Sequence, residues 1–258
     1  MPASDAQRSV EELTALLREQ QNPTRAVSEK AYLKSQLDFL GVSVPLIRAT
    51  TRAWAKTHPL THDALIDLVR TLWATSLHDL HATAIELLIR HKPLLVASDM
   101  ALLEELIGHS YTWAYVDTLS TDVTADLVTR YPELNATLER WSTDGDFWIR
   151  RASMLALLPP MRGGGGDFER FGRYADSMLE EREFFIRKAI GWILRDTSKR
   201  RPELVAEWLL PRAHRASSVT VREAVKYLDA ADREAIMAAY SGASKAGRRN
   251  RSVSRETN

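Results

Sequence analysis

Apolar residues along this chain recur with the period of a helix, and proline or glycine cuts the pattern at intervals of roughly 10–18 residues. No stretch alternates with the period of two that a half-buried strand needs. The expected fold is therefore all-α. Leu13, Leu16 and Leu17 share one face of a helix over 10–19. Asn22-Pro23-Thr24 ends it, and the next helix is expected over 26–40. Gly41 to Pro45 is a stop and restart, with Pro45 in the first turn of a helix that ends at His58-Pro59. Further helices are expected over 61–73, 77–90 and 98–107, and from the segment at 110 to Arg130. Ser98 stands where an N-cap is needed, although Ala101 replaces the Glu of a capping box. Pro132 opens the next helix, and others follow over 147–158, 167–180, 182–199, 202–210, 218–228 and 232–239. Helices of this length bury a face by stacking in antiparallel pairs, so a helical-repeat solenoid is the expected architecture.

The clearest break is Pro159-Pro160-Met161-Arg162 followed by four glycines at 163–166. It reads as a flexible loop and a candidate boundary between two lobes of a single domain over 1–240. Residues 241–258 are rich in Gly, Ser and Arg and read as a disordered basic tail.

Charge and cysteine content narrow the function. Lys plus Arg is 35 and Asp plus Glu is 34, a net charge of +1, so any basic surface must be local. Arg far outnumbers Lys, and its planar fork suits bidentate phosphate contacts. There is no cysteine, which excludes a disulfide framework, Cys-ligated zinc, iron–sulfur clusters and any Cys nucleophile. No apolar signal core follows Met1 and no run reaches membrane-spanning length, so a cytoplasmic location away from membranes is expected. An iron-dependent dioxygenase of the direct-reversal type needs a His-x-Asp pair, and none of the seven histidines has Asp two residues on. His78-Asp79-Leu80-His81 has a faintly metal-like spacing, but two His at i, i+3 on a surface helix are more often solvated. No metal or cofactor is expected.

Two aromatic positions stand out. Within Ser110-Tyr111-Thr112-Trp113-Ala114-Tyr115-Val116-Asp117, a helix would place Trp113 and Asp117 one turn apart on the same face. A π surface beside a carboxylate suits a cation, although by spacing alone a core Trp and a solvated Asp is the commoner outcome. Lys188, Trp192, Arg195 and Lys199 follow i, i+4, i+7, i+11 and share one helix face, opposite Phe185, Ile186, Ala189, Ile190 and Ile193. A Trp among cations reads as a surface facing nucleic acid, against the alternative of an indole lying beneath basic side chains. Arg48 and Arg52 form a basic stripe of the kind that is usually only solvated.

Several segments, in order, resemble a known family. They are Tyr32-Leu33-Lys34 through Phe39-Leu40-Gly41-Val42 and Pro45; Glu104 to Ile107 with Trp113-Ala114-Tyr115-Val116-Asp117; Trp148-Ile149-Arg150-Arg151-Ala152; Arg182 to Arg195, including Phe184-Phe185-Ile186-Arg187-Lys188-Ala189-Ile190-Gly191-Trp192; and Arg222-Glu223-Ala224. The chain is similar, from about residue 10 to about residue 230, to the AlkD-type DNA alkylation repair family. These are DNA glycosylases built from HEAT-like helical repeats. The resemblance implies a right-handed, C-shaped solenoid with a concave basic groove holding duplex DNA. It also implies hydrolysis of the N-glycosidic bond of N3- or N7-alkylated purines, the first step of base excision repair. Carried over by motif, the catalytic residues fall on Trp113, Asp117, Arg151 and Trp192, with Tyr32 a further aromatic at the site. Arg151, which on its own would read as a surface ion pair, would hold a phosphate of the lesion strand. Arg48, Arg52, Arg150, Arg187, Lys188, Arg222 and Lys226 are candidate backbone contacts. Ser217 and Ser218 open a helix whose amides could face a phosphate. The expected partner is double-stranded DNA containing alkylated purines, bound by a monomer that is nucleoid-associated while on DNA.

The chain departs from the family pattern at Ser43-Val44, where an amide is common, and at Pro159-Pro160 with the glycine run, where the family tends to be basic. Both changes touch expected DNA contacts and bear on substrate range; the glycine run would admit a bulky adduct. The rival reading is a catalytically inactive DNA-binding or scaffold protein of helical repeats. Asp117 argues against it, because a carboxylate on a phosphate-facing surface repels DNA unless it has a specific task.

Overall fold

The computed structural model describes residues 4–253, with side chains described for 4–241. It is all-helical: among the described residues there is no strand, only an isolated bridge between Asp38 and Leu77. The chain forms two compact units, Met1–Leu134 and Asn135–Asn258. Residues 159–166 lie inside the second unit.

The first unit holds α1 (Asp5–Arg18), α2 (Pro23–Leu33), α3 (Val44–Thr57), α4 (His62–Trp73), α5 (His78–Arg90), α6 (Met100–Gly108), α7 (Trp113–Thr118) and α8 (Ala125–Arg130). Local chemistry explains the boundaries. Ser4, Asn22 and Thr61 each accept a backbone N–H of the first turn that follows, satisfying a donor the helix cannot. Leu13 and Leu17 of α1, one turn apart, are fully buried, as are Leu65, Val69 and Leu72 of α4. The α1 face packs on α4, and α5 packs on both α3 and α4. Each such leucine contributes about 1.5–3 kcal/mol by leaving water.

Two expectations for this unit change. The helix expected over 26–40 stops at Leu33. Lys34 adopts a left-handed conformation at φ 51°, and the chain then runs extended beside the start of α5. There Asp38 exchanges backbone hydrogen bonds with Ser76 and His78, each 2.8 Å. The buried carboxylate of Asp79 accepts from the amides of Leu40 at 2.8 Å and Val42 at 2.9 Å. Three tertiary partners outweigh the helix propensity of 35–40. Ser98 is not an N-cap either. Residues 97–99 form a 3₁₀ turn, and Asp99 accepts the Val96 amide and meets His62 across the unit.

Gly41 is required where it stands. Its φ is 75°, and a Cβ would lie 2.3 Å from the Asn22 carbonyl oxygen and 2.5 Å from the Ala26 nitrogen. Gly41→Ala should therefore cost more than 3 kcal/mol, combining a left-handed penalty of about 1–2 kcal/mol with backbone overlap. Urea unfolding measures it; a loss below about 1 kcal/mol would contradict the geometry.

The second unit holds α9 (Asn135–Trp141), α10 (Phe147–Leu155), α11 (Leu158–Arg162), α12 (Phe168–Ser177), α13 (Phe184–Ser198), α14 (Pro202–Leu209), α15 (Ser218–Ala224) and α16 (Ala230–Val253). Trp141, Phe171, Ile190 and Ile193 are fully buried within it. α13 is its spine, packing on α10, α11, α14 and α15. Gly191 lets α13 approach α15 closely, since a Cβ there would lie 2.9 Å from the Glu223 Cβ on α15. Pro159 and Pro160 do not break a helix but open α11, where a missing N–H costs nothing. The glycines form a folded turn rather than an open loop: the amides of Gly163, Gly164 and Gly165 bond back to Pro159, Met161 and Pro160. α16 is helical through Val253, past the start of the stretch read as a disordered tail. Its Ala, Lys and Arg content favours that state. Residues 254–258 of that stretch lie outside the described residues.

Long-range side-chain hydrogen bonds inside each unit recur at similar sequence separations. They include 38 residues for Arg48–Glu86, 37 for Tyr115–His78, 34 for Arg162–Asp196 and 35 for Lys188–Glu223. Equivalent helices of neighbouring two-helix repeats touch at this spacing.

Candidate functional site

In the first unit the expected catalytic residues occupy α7. Tyr111 precedes it in a left-handed conformation, φ 49°, with its ring exposed. Thr112 caps the helix by accepting the Ala114 amide. Trp113 is the first helical residue and Asp117 lies one turn on; both are half-buried. Tyr115, Val116 and Leu119 fill the core side of this segment, so Trp113 and Asp117 lie off it. The exposed ring of Tyr32 stands edge-on to Trp113, centroids 6.1 Å apart and planes at 86°. The structure thus brings Tyr32 and Trp113 together, with Asp117 one turn away.

Two residues after Asp117 the helix widens into a π-helical turn over Leu119–Thr124. Such turns are uncommon and concentrate at functional sites. Beneath α7 lies a cluster that the sequence reading expects to be solvated. His78 bonds the Tyr115 hydroxyl and stacks on Phe39 at 4.2 Å, while His81 stacks on Trp73 at 4.6 Å. Burial pushes His78 down to about 4 and lowers His81, so both are neutral at pH 7. These histidines are structural. Among the described residues no group of three His, Cys, Asp or Glu side chains could hold a metal ion. Arg48 is held by Glu86 at 2.7 Å, while Arg52 is exposed and makes no ion pair among the described residues.

In the second unit most expected DNA-contacting cations already have carboxylate or carbonyl partners. Arg150 bonds both oxygens of Glu181, at 3.0 and 2.7 Å, and Arg187 donates to the Glu181 carbonyl at 2.6 Å. Lys188, Arg195 and Lys226 converge on Glu223 at 2.9, 2.6 and 3.0 Å. Arg151 is only 2 % exposed; it donates to the Phe185 carbonyl and lies over the Phe185 ring. Trp192 is half-buried, and its indole N–H donates to Asp196 Oδ2 at 3.1 Å. Arg222 is exposed, with no ion pair among the described residues. Ser218 begins α15, but the cap is Ser217, which accepts the Thr220 amide at 3.1 Å.

Glu223 and Asp196, which hold these second-unit side chains, were not expected to do so. Burial pushes the Glu223 carboxyl up, but hydrogen bonds and charge from Lys188 and Lys226 outweigh it, and it falls to about 2. A depressed carboxylate stabilises the fold above its unfolded value and loses that contribution as pH falls. The loss for Glu223 should run from about pH 4.5 down to about 2. Urea midpoints of the wild type and Glu223→Gln should therefore differ at pH 6 and converge towards pH 2. A constant difference would remove the assignment.

A model of the DNA alkylation repair enzyme family matches residues 13–228, most of the chain. The chain belongs to that family. Solved structures similar to this family member agree in fold. A predicted DNA alkylation repair enzyme from Enterococcus faecalis is 23% identical, with a TM-score of 0.74 over 82% of this chain and 98% of that one. AlkD2 from Streptococcus mutans is 15% identical, with a TM-score of 0.60 over 88% and 100%. The smu.31 protein from Streptococcus mutans UA159 is 16% identical, with a TM-score of 0.54 over 83% and 100%. At these identities the likeness is one of fold. No curated protein matches the chain.

Proposed function

We propose that this member of the DNA alkylation repair family is a monofunctional DNA glycosylase. Its substrates would be cationic N3- or N7-alkylated purines in duplex DNA. The observation that carries the reading is the half-buried Trp113, braced edge-on by Tyr32, with Asp117 one turn away on α7. An alkylated purine of this kind already carries the charge that weakens its glycosidic bond, and it leaves as a neutral base without a general acid. The sugar becomes oxocarbenium-like as the bond stretches. The protein has mainly to stabilise positive charge and admit water. A tryptophan face contributes about 0.5–2 kcal/mol. A carboxylate about 4 Å from the sugar contributes roughly 4 kcal/mol at an effective dielectric of 20. Asp117 also orients the attacking water.

Trp192 is the second aromatic face of this reading, and Arg151, packed against Phe185 rather than exposed as a clamp, supplies a fixed positive charge towards the backbone of the lesion strand. Arg52 and Arg222 reach phosphates directly. Arg48, Arg150, Arg187, Lys188 and Lys226 reach them by exchanging a carboxylate or carbonyl for a phosphate. Ser218 adds a polar contact at the start of α15. The helical-repeat solenoid belongs to the same reading, and the recurrent spacing of hydrogen bonds inside each unit supports it. A cytoplasmic location beside DNA belongs to it as well. Among the described residues no helix is long and apolar enough to cross a membrane.

The test uses a duplex with one 7-methylguanine. The reading expects release of the free base, an abasic site cleaved only on later treatment with alkali, and no enzyme–DNA adduct trapped by borohydride. A trapped adduct would overturn the monofunctional assignment. Tight binding without release would favour the inactive DNA-binding reading.

A further inference from the structure

Asp196 has a place that the mechanism above leaves unexplained. It lies one turn beyond Trp192 on α13, the same four-residue spacing that separates Trp113 from Asp117. It is 4 % exposed. Its Oδ2 accepts from the Trp192 indole at 3.1 Å and from Arg162 Nε at 3.0 Å. Its Oδ1 accepts from Lys199 at 3.0 Å and from Arg195 at 3.4 Å. The Arg162 guanidinium that grips the carboxylate also stands 6.0 Å from the centre of the Trp192 ring.

An indole has one donor and no acceptor, so a single partner fixes the rotation of its ring. A buried carboxylate makes that bond charge-assisted, about twice as strong as a neutral one. It also places negative charge at the edge of the ring that carries the N–H. Electron density moves onto the ring face, and the face attracts a cation more strongly. Surrounding cations keep the carboxylate ionised in its buried setting. Arg195 comes from α13 itself and Lys199 from its C-cap, while Arg162 comes from α11 and ties the turn at 163–166 to the Trp192 ring.

We propose that Asp196 is a positioning residue that fixes the orientation of Trp192 and strengthens its ring face towards a cationic substrate. The catalytic part of this inference rests on the glycosylase reading, whereas the geometric part stands without it.

The experiment compares wild type, Asp196→Ala, Asp196→Asn and Arg162→Met. The indole N–H resonance of Trp192, assigned by its loss in Trp192→Phe, reports the hydrogen bond. Single-turnover release of 7-methylguanine and duplex affinity report function. In Asp196→Ala the resonance moves upfield and release slows about tenfold, equivalent to about 1.4 kcal/mol, while affinity changes less than about threefold. Asp196→Asn keeps an acceptor and falls between wild type and Ala. Arg162→Met, changed at a half-exposed side chain, moves the resonance less and keeps the protein folded should the Ala variant fail to fold. An unmoved resonance in the Asp196 variants overturns the proposal, and so does a moved resonance with an unchanged release rate. If wild type itself releases no base, the glycosylase reading fails separately, and the resonance alone decides whether Asp196 holds Trp192.

Discussion

Replacing Asp117 with asparagine should slow release of 7-methylguanine by about 10²–10³-fold at saturating enzyme, the range set by loss of one preorganised electrostatic group. Duplex affinity should stay within a few-fold or rise slightly, because the change removes a negative charge from a surface that the proposed mechanism sets against DNA. Asparagine is almost isosteric with aspartate, and Asp117 is half-buried on α7 beside a rigid core of Val116 and Leu119. Loss of fold therefore does not explain a lost rate. The split between rate and binding is the informative part. A carboxylate that only held the helix in place would change both or neither. Single-turnover rates and equilibrium binding on the same duplex measure it, and a wild-type rate in the variant would remove Asp117 from the mechanism.

Arg151→Ala should have the next largest effect, and on three quantities at once. The side chain is 2 % exposed and donates to the Phe185 carbonyl beneath its ring. Truncation leaves that carbonyl without this donor at a cost of about 1–3 kcal/mol. It also opens a cavity where the guanidinium packed. Stability should fall by roughly 2–4 kcal/mol on these two counts. Duplex affinity should weaken, and base release should slow by more than tenfold at temperatures where the variant remains folded. A variant with reduced stability but wild-type release and affinity would make Arg151 purely structural. Its burial already shifts the reading: the expected surface clamp is a fixed, packed cation, held from α13.

Much of the helical order could be read from proline, glycine and apolar spacing, because those signals are local. Pro45, Thr61 and Asp167 stand at or next to the helix starts they predict, and Leu13 and Leu17 face the core as their spacing requires. The end of α2 could not be read the same way. Residues 35–40 leave the helix because Asp79 and Ser76, far along the chain, offer better partners. The histidines of 78–81 carry a surface spacing, but Phe39 and Trp73 stack on them and close them off. The π-helical turn after Asp117 has no spacing signal at all.

At the candidate site, the Trp113–Asp117 relation was legible because it lies within one helical turn. Asp196 carries the same signal relative to Trp192, four residues on, and the spacing that singles out Asp117 would have found it. Glu223 could not be found that way. Its cation partners Lys188 and Arg195 lie on another helix, brought near by the close approach that Gly191 permits. Cations grouped on one helix face therefore gave a sound placement of α13 but an incomplete charge balance. Sequence periodicity shows the charges of a face and not the carboxylates that a neighbouring helix sets against them.

In this mechanism the leaving base must carry its own positive charge. The most direct measurement sets two duplexes of one sequence side by side, one with 7-methylguanine and one with hypoxanthine, a neutral purine that needs protonation to leave. Free 7-methylguanine and no detectable hypoxanthine are expected. Comparable release of both would overturn the mechanism, because a neutral base requires a general acid that the mechanism does not contain.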